Sequence, residues 1–227
     1  MAVKVAIAIP NYRESVPGRF LDCMVVLTAH LSRKFGPSAI EYIRVGFMYI
    51  DIARNVAWRR AKQCHAETIL CIDDDMTFTP DTFDILWETP GDIVSALYFI
   101  RQLPPTKPCM YRQDITGLHV PITSYPKDET IDVDAIGMGF ALIRKPVLDA
   151  LVDPFDKFPK KGEDIVFCEK ARALGFKVTV NTAAKAGHLM NIPVEINEGN
   201  AGGPLPGVFD SPLINRVPRV DPATASG

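Results

Sequence analysis

Asp73-Asp74-Asp75 is the sharpest chemical feature of the chain. Three adjacent carboxylates directly after the apolar run 68–72 repel one another wherever they are partly withdrawn from water. A divalent cation would relieve that conflict. Mg2+ and Mn2+ suit oxygen ligands, with phosphate oxygens and water completing the shell. On extended backbone Asp73 and Asp75 would point one way and Asp74 the other, a rule that a turn would relax. Metal chemistry of this kind serves phosphoryl transfer, phosphate hydrolysis and sugar transfer alike. A solvated acidic turn or a helix cap explains the same triplet without any ligand, and the residues alone leave both readings open.

A second acidic pair, Glu163-Asp164, follows Gly162 and opens a helical pattern running through Phe167, Cys168, Ala171 and Leu174 to Gly175. Carboxylates at a helix N-terminus are favourable without catalysis, because they face the positive end of the dipole. His188 follows Ala186-Gly187, and a neutral imidazole there can bind Mn2+. His30, His65 and His119 read as structural or surface residues. Lys157, Lys160 and Lys161 before the acidic pair would offer either a face for diphosphate or a solvated loop.

These residues need a scaffold that brings distant segments together. Residues 4–9 form an apolar run stopped by Pro10-Asn11, which predicts a central strand opening into a loop. Residues 19–34 place Phe20, Met24, Leu27 and Leu31 on one helical face, and Gly36-Pro37 ends the helix. A strand is expected within 42–50, then a helix capped by Asp51 with Ile52, Val56, Ala57 and Ala61 inward. Strands are expected over 68–72, 92–99, 131–136, 141–143 and 176–180, with shorter ones at 109–111 and 118–122. Helices are expected near 80–87, after Pro146, and from Gly162 to Leu174. Strands alternating with helices predict a mostly parallel, layered α/β fold.

The 227 residues fit one such domain with a tail, and 47% hydrophobic residues allow a substantial core. The 25 basic and 27 acidic residues give a net charge of -2, so no nucleic-acid partner is expected. Five cysteines without metal-like pairs argue against a disulfide scaffold and suit a reducing, cytoplasmic setting. The run 3–10 is far shorter than the ~20 apolar residues of a membrane helix. The final 28 residues are rich in Pro and Gly and read as a tail rather than a domain.

Ala53-Arg54-Asn55 followed by Thr68-Ile69-Leu70-Cys71-Ile72-Asp73-Asp74-Asp75 resembles the ARN and DXD segments of GT-A glycosyltransferases, in particular the family 2-like group. The resemblance spans roughly residues 3–190, and it is the order of the motifs rather than the DXD alone that makes it specific. It implies a GT-A fold with a single Rossmann-like, mostly parallel central sheet flanked by helices. It also implies a domain over 1–195, with a nucleotide-sugar-binding half at 1–100 and an acceptor-binding half at 101–195. Residues 196–227 would be the tail.

By that resemblance the chain would transfer a sugar from a UDP- or GDP-linked donor to the hydroxyl of an unidentified acceptor, using Mn2+ or Mg2+. Asp75 would be the main metal-diphosphate ligand, Asp73 would contact ribose or metal, and Asp74 would be the variable middle position beside the cofactor. His188 would be the third protein ligand. Pro10, Tyr12 and Glu14 resemble the first nucleotide-binding loop, Arg54 would bind the donor, and Asn55 would help organise the loop. Gly137 and Gly139 would let the backbone approach sugar or diphosphate. Asp164 resembles the general base and Glu163 would orient the acceptor, a mechanism that inverts the anomeric centre. A retaining outcome is compatible with the same spacing. The Gln-x-x-Arg-Trp motif of processive synthases is missing, which argues against processive chain export. A nucleotidyltransferase with the same acidic site, or a non-catalytic nucleotide- or glycan-binding module, would share these features.

Overall fold

The computed structural model describes residues 3–13, 15–156, 161–190 and 195–196. Glu14, Lys157, Lys160 and the tail from residue 197 lie outside them.

The elements run in the order β1 (Val5–Asn11), α1 (Gly18–Phe35), β2 (Ile40–Gly46), α2 (Ile50–Gln63), β3 (Thr68–Ile72), β4 (Met76–Thr77), α3 (Pro80–Glu88) and β5 (Ile93–Leu97). They continue with β6 (Met110–Gln113), β7 (His119–Pro121), β8 (Thr130–Asp132), β9 (Ala135–Ile136), β10 (Phe140–Arg144) and α4 (Lys145–Ala150). The last are α5 (Glu163–Ala173), β11 (Val178–Lys185), β12 (Gly187–Leu189) and β13 (Glu195–Ile196). A seven-stranded sheet has the order β2-β1-β3-β10-β5-β11-β8. Strands β1, β2 and β3 are parallel, as are β5 and β11, whereas β10 and β8 run against their neighbours.

Alternation along the central strands builds two core layers. Val5, Ile7 and Ile9 face one side with Leu70 and Ile72, where α1 and α3 supply Phe20, Met24, Leu27, Leu31, Phe83 and Leu86. Ala6 and Ala8 face the other with Ile69 and Cys71, where α2, α4 and α5 supply Ala57, Trp58, Val147, Phe167 and Ala171. The stripe expected on α1 is the stripe buried, and Gly36 ends the helix at a φ of 88° that favours glycine. No helix among the described residues is long and apolar enough to cross a membrane.

Several local expectations are corrected. Tyr49, not Asp51, occupies the N-cap of α2, and Asp51 sits in the first turn. Ala57 and Ala61 are buried as expected and Val56 is half-buried, but Ile52 is exposed, and Ala53, Arg54 and Trp58 join the inward face in its place. Small alanines let this helix lie close to β1, and a buried arginine shares their face. Leu174 falls beyond the end of α5 and is exposed. The expected strand over 131–136 is two strands in two sheets, divided at Val133-Asp134. Buried Asp134 makes that break useful: it accepts the Gln113 N–H at 2.8 Å and pairs with Arg172 of α5 at 2.7 Å.

Two small sheets complete the scaffold, β13-β12-β4 and β7-β6-β9. In the first, His188 is in register with Met76, which sets the late histidine beside the acidic triplet. In the second, Met110 pairs with Ile136, and the Gly137 N–H reaches the Cys109 carbonyl at 3.1 Å.

Candidate active site

Parallel α/β sheets leave a crevice beyond the carboxyl ends of their strands, and this sheet does the same. The ends of β1, β3 and β5 open into a cleft of 1020 Å³. Pro10, Asn11 and Tyr12 line it from β1, Asp73, Asp74 and Asp75 from β3, and Tyr98 and Arg101 from the chain after β5. Arg54 of α2, Cys109, Tyr111, Gly137, the Glu163-Asp164 pair and His188 close the remaining walls.

The triplet does not continue the strand. The Met76 N–H donates to the Asp73 carbonyl at 3.2 Å, so the chain turns and sends the three carboxylates to three sets of partners. Asp73 Oδ1 accepts from Arg54 Nη2 at 2.8 Å, and the same guanidinium donates from Nε to Glu163 Oε1 at 3.1 Å. Asp74 Oδ2 accepts from Asn11 Nδ2 at 2.5 Å, while Asn11 Oδ1 accepts from Arg44 Nη2 at 2.8 Å. Asp75 places Oδ2 on Arg101 and Oδ1 at 3.3 Å from His188 Nε2.

Each environment leaves an electrostatic signature. Burial opposes the charge on Arg54, but the Asp73 and Glu163 carboxylates outweigh it and raise its pKa further. Burial raises Asp74 against the Asn11 hydrogen bond, and the charges of Asp75 and Asp73 add to the rise. Burial would also raise Asp75, yet the hydrogen bond and charge of His188, with Arg101, hold it below the usual carboxylate range. Burial would lower His188, but its contact with Asp75 raises it.

Asp164 is different: among the described residues no cation pairs with it, and Arg54 acts on it through its charge alone. Its Oδ1 accepts the following Ile165 N–H at 2.8 Å, and it lies over Gly162, whose added Cβ would stand 2.5 Å from that oxygen. Burial, with the Glu163 charge adding to it, pushes the Asp164 carboxyl up to about 6. A carboxylate poised this way is a better proton acceptor than a solvated one and is still mainly ionised at neutral pH.

Helix α2 organises both sides of the cleft. Asn55 makes a reciprocal pair with the Phe155 backbone, donating to its carbonyl at 2.7 Å and accepting its N–H at 3.0 Å. Trp58 donates to the Leu151 carbonyl at 3.2 Å and packs edge-on against Phe155 and Phe167. The loop leading to α5 is thus fastened to the helix that carries Arg54. Asn55 organises a loop as expected, although one distant in sequence.

The glycines of 137–139 serve an unexpected neighbour. The Tyr98 hydroxyl accepts the Gly139 N–H at 2.8 Å, and a Cβ on Gly139 would approach the ring to 2.9 Å. A Cβ on Gly137 would overlap the Tyr98 hydroxyl. The backbone approach these glycines permit is therefore to a buried tyrosine ring, while Gly137 still contributes to the wall. Tyr98, Cys109, Tyr111 and Arg101 carry no motif in the sequence, since only strand pairing brings them to the cleft. Burial raises the Cys109 thiol, with the Asp164 charge adding to it, so it is no nucleophile. Lys161 pairs with Glu169 at 2.6 Å and is turned away from the cleft lining. His30 and His119 likewise face surface carboxylates, Asp84 and Glu169.

Among the described residues no three His, Cys, Asp or Glu side chains assemble as a metal-binding group. The Asp75–His188 pair nevertheless has the chemistry of a partial one. His188 Nδ1 lies 2.9 Å from the Phe99 carbonyl, an acceptor only, so that nitrogen carries the proton. Neutral His188 then turns the Nε2 lone pair toward a carboxylate oxygen, which calls for a cation or a second proton between them. Cis ligands of an octahedral ion at ~2.1 Å lie about 3 Å apart, close to the separation seen. Asp73, held by Arg54, does not join them.

No protein-family model and no curated protein sequence matches the chain. Solved structures match it in fold. A197 from STIV superposes with a TM-score of 0.57 at 17% identity, over 86% of this chain and 93% of that one. GalNAc-T7, solved with UDP, GalNAc and Mn2+, gives a TM-score of 0.58 at 11% identity over 83% of this chain. The alignment covers 44% of the GalNAc-T7 chain. The inositol-1-phosphate CTP transferase from T. maritima is more distant, with a TM-score of 0.44 at 13% identity over 80% and 86% of the two chains. The fold is a mixed α/β architecture with a large, mainly parallel sheet, shared with A197 and GalNAc-T7.

Proposed function

We propose that the chain is a divalent-cation-dependent glycosyltransferase that moves a sugar from a nucleoside-diphosphate donor to an acceptor hydroxyl, with inversion. One observation carries this reading: a single cleft gathers Asp75 and His188 on one wall and, on another, Asp164, a buried carboxylate without an ion-pair partner among the described residues. The fold shared with GalNAc-T7, a structure holding UDP and Mn2+, supports it.

Asp75 and His188 would hold Mn2+ or Mg2+, which supplies charge neutralisation for the departing diphosphate. Asp73 keeps its place through Arg54 and serves the ribose side rather than the metal shell. Tyr12, exposed at the mouth, offers its ring to the base, and Pro10 shapes the same edge. Asp164 accepts the proton of the acceptor hydroxyl as that oxygen bonds to the anomeric carbon. The bond from the anomeric carbon to the diphosphate breaks, and the electron pair leaves with the nucleoside diphosphate. Glu163, tied to Arg54, fixes the first turn of α5 and so the direction of Asp164. The halves 1–100 and 101–195 would supply the donor and acceptor walls respectively.

A panel of nucleotide sugars with Mn2+ or Mg2+, read as nucleoside diphosphate release, tests the reading. One donor is expected to turn over, with Asp75→Ala weakening donor binding. Asp164→Asn is expected to lower the transfer rate about 100-fold or more while changing donor binding little. In the wild type the rate should rise as pH increases through about 6, because the base must lose its proton; the Asn variant should lack that limb. Pyrophosphate release from a nucleoside triphosphate, or binding of every donor without turnover, would sink the proposal.

A further inference from the structure

Arg101 has no place in the sequence motifs, yet it holds one oxygen of Asp75. It stands two residues past Phe99, whose carbonyl anchors His188, so both partners of Asp75 hang from the same stretch of chain after β5. That stretch is closed on itself: the Ile100 N–H donates to the Lys107 carbonyl at 2.8 Å and Thr106 Oγ1 to the Ile100 carbonyl at 2.7 Å. The arginine stem is therefore planted, while its side chain is half exposed (51%) at the rim. Arg54, which lines the cleft together with Arg13 and Arg101, is 5% exposed and spans two carboxylates. Unlike Arg54, Arg101 can release its carboxylate without opening the core.

A dipositive ion at Asp75 and His188 would stand beside this guanidinium, and like charges so close in a partly dry cleft repel. The planar fork of arginine also matches phosphate oxygens. We propose that Arg101 is the resident counter-cation of Asp75, competes with the divalent ion for it, and turns to the donor diphosphate once the ion is in place. This rests on the metal-dependent reading above.

Mn2+ binding without nucleotide, followed by electron paramagnetic resonance of the free ion, tests the first half on wild type, Arg101→Gln and Arg101→Lys. The Gln variant should bind Mn2+ about two- to fivefold more tightly, as expected for loss of a rim ion pair. Calorimetry with UDP and GDP under saturating Mn2+ tests the second half. The nucleotide that binds wild type should bind the Gln variant about tenfold more weakly, with Lys in between. Unchanged or weaker Mn2+ binding in Arg101→Gln, or unchanged nucleotide affinity, overturns the role of Arg101 and leaves the metal-dependent reading standing. If wild type itself binds neither Mn2+ nor either nucleotide, both fall together.

Discussion

Asp73 and Asp75 stand two residues apart and live in opposite regimes. Asp73 shares the buried guanidinium of Arg54 with Glu163, a cation that water scarcely reaches. Asp75 faces His188 and a rim arginine that is half in solvent. The inner centre is the buried Arg54, whose removal would take a shared partner from two carboxylates, although Asp73 itself is 27% exposed against 19% for Asp75. The outer centre is the rim arginine, Arg101, for which water and salt can stand in more readily than for a buried one. The two residues are identical in type and differ in the cation each one meets.

The largest test of that contrast is Arg54→Met. It should cost about 3 kcal/mol of unfolding free energy, read by urea denaturation, since Asp73 and Glu163 lose a shared buried partner. Arg101→Gln should move the same measurement by less than about 1 kcal/mol. Similar losses in both variants would erase the distinction between inner and outer centres.

Next in size is Gly137→Ala, which drives a methyl group into the Tyr98 hydroxyl. A loss of about 2 kcal/mol is expected. Adding Tyr98→Phe should recover part of it, although the Gly139 N–H then loses its acceptor. A double-mutant cycle measures the coupling, and strict additivity would show that the glycines serve something other than the tyrosine.

Asp164 is a third case, a carboxylate without an ion pair among the described residues, and its expected stability effect depends on pH. Its folded pKa of about 6 lies above the ordinary value, so the folded state binds the proton more tightly. Its contribution to stability is therefore complete below about pH 4 and is lost as pH rises through 6. Asp164→Asn should be more stable than wild type by about 1–2 kcal/mol at pH 8, with the gap closing by pH 4. Thermal unfolding across that range checks it, and a gap of the opposite sign would mean that Asp164 is paired after all.

How much of this was legible in the sequence varies with the range of the interaction. The buried stripe of α1 is a four-residue rhythm, and β3 is an apolar run with an abrupt acidic end, so local pattern sufficed for both. The inward face of α2 was legible at Ala57 and Ala61 but not at Arg54, because a buried arginine looks polar and its two distant carboxylates are what make burial tolerable. The run 131–136 looked like one strand because both halves are apolar, while the break at Asp134 depends on partners in β6 and α5. Among site residues, the acidic triplet, Glu163-Asp164 and His188 do converge on one cleft. Arg101, Tyr98 and Tyr111 carried no signal, since their importance lies in what they face. Glu14 belongs to a segment outside the described residues.

By itself the sequence determined an α/β chain with acidic groups placed where strands and helices begin and end, because hydrophobic period and chain breakers are local properties. It also determined which residue types were available to hold a cation or accept a proton. Tertiary structure alone decided the partners of each acid: Asp73 meets a buried arginine, Asp75 a rim arginine and His188, and Asp164 no ion-pair partner among the described residues. Charge behaviour depends on distance and on water, and neither is written along the chain.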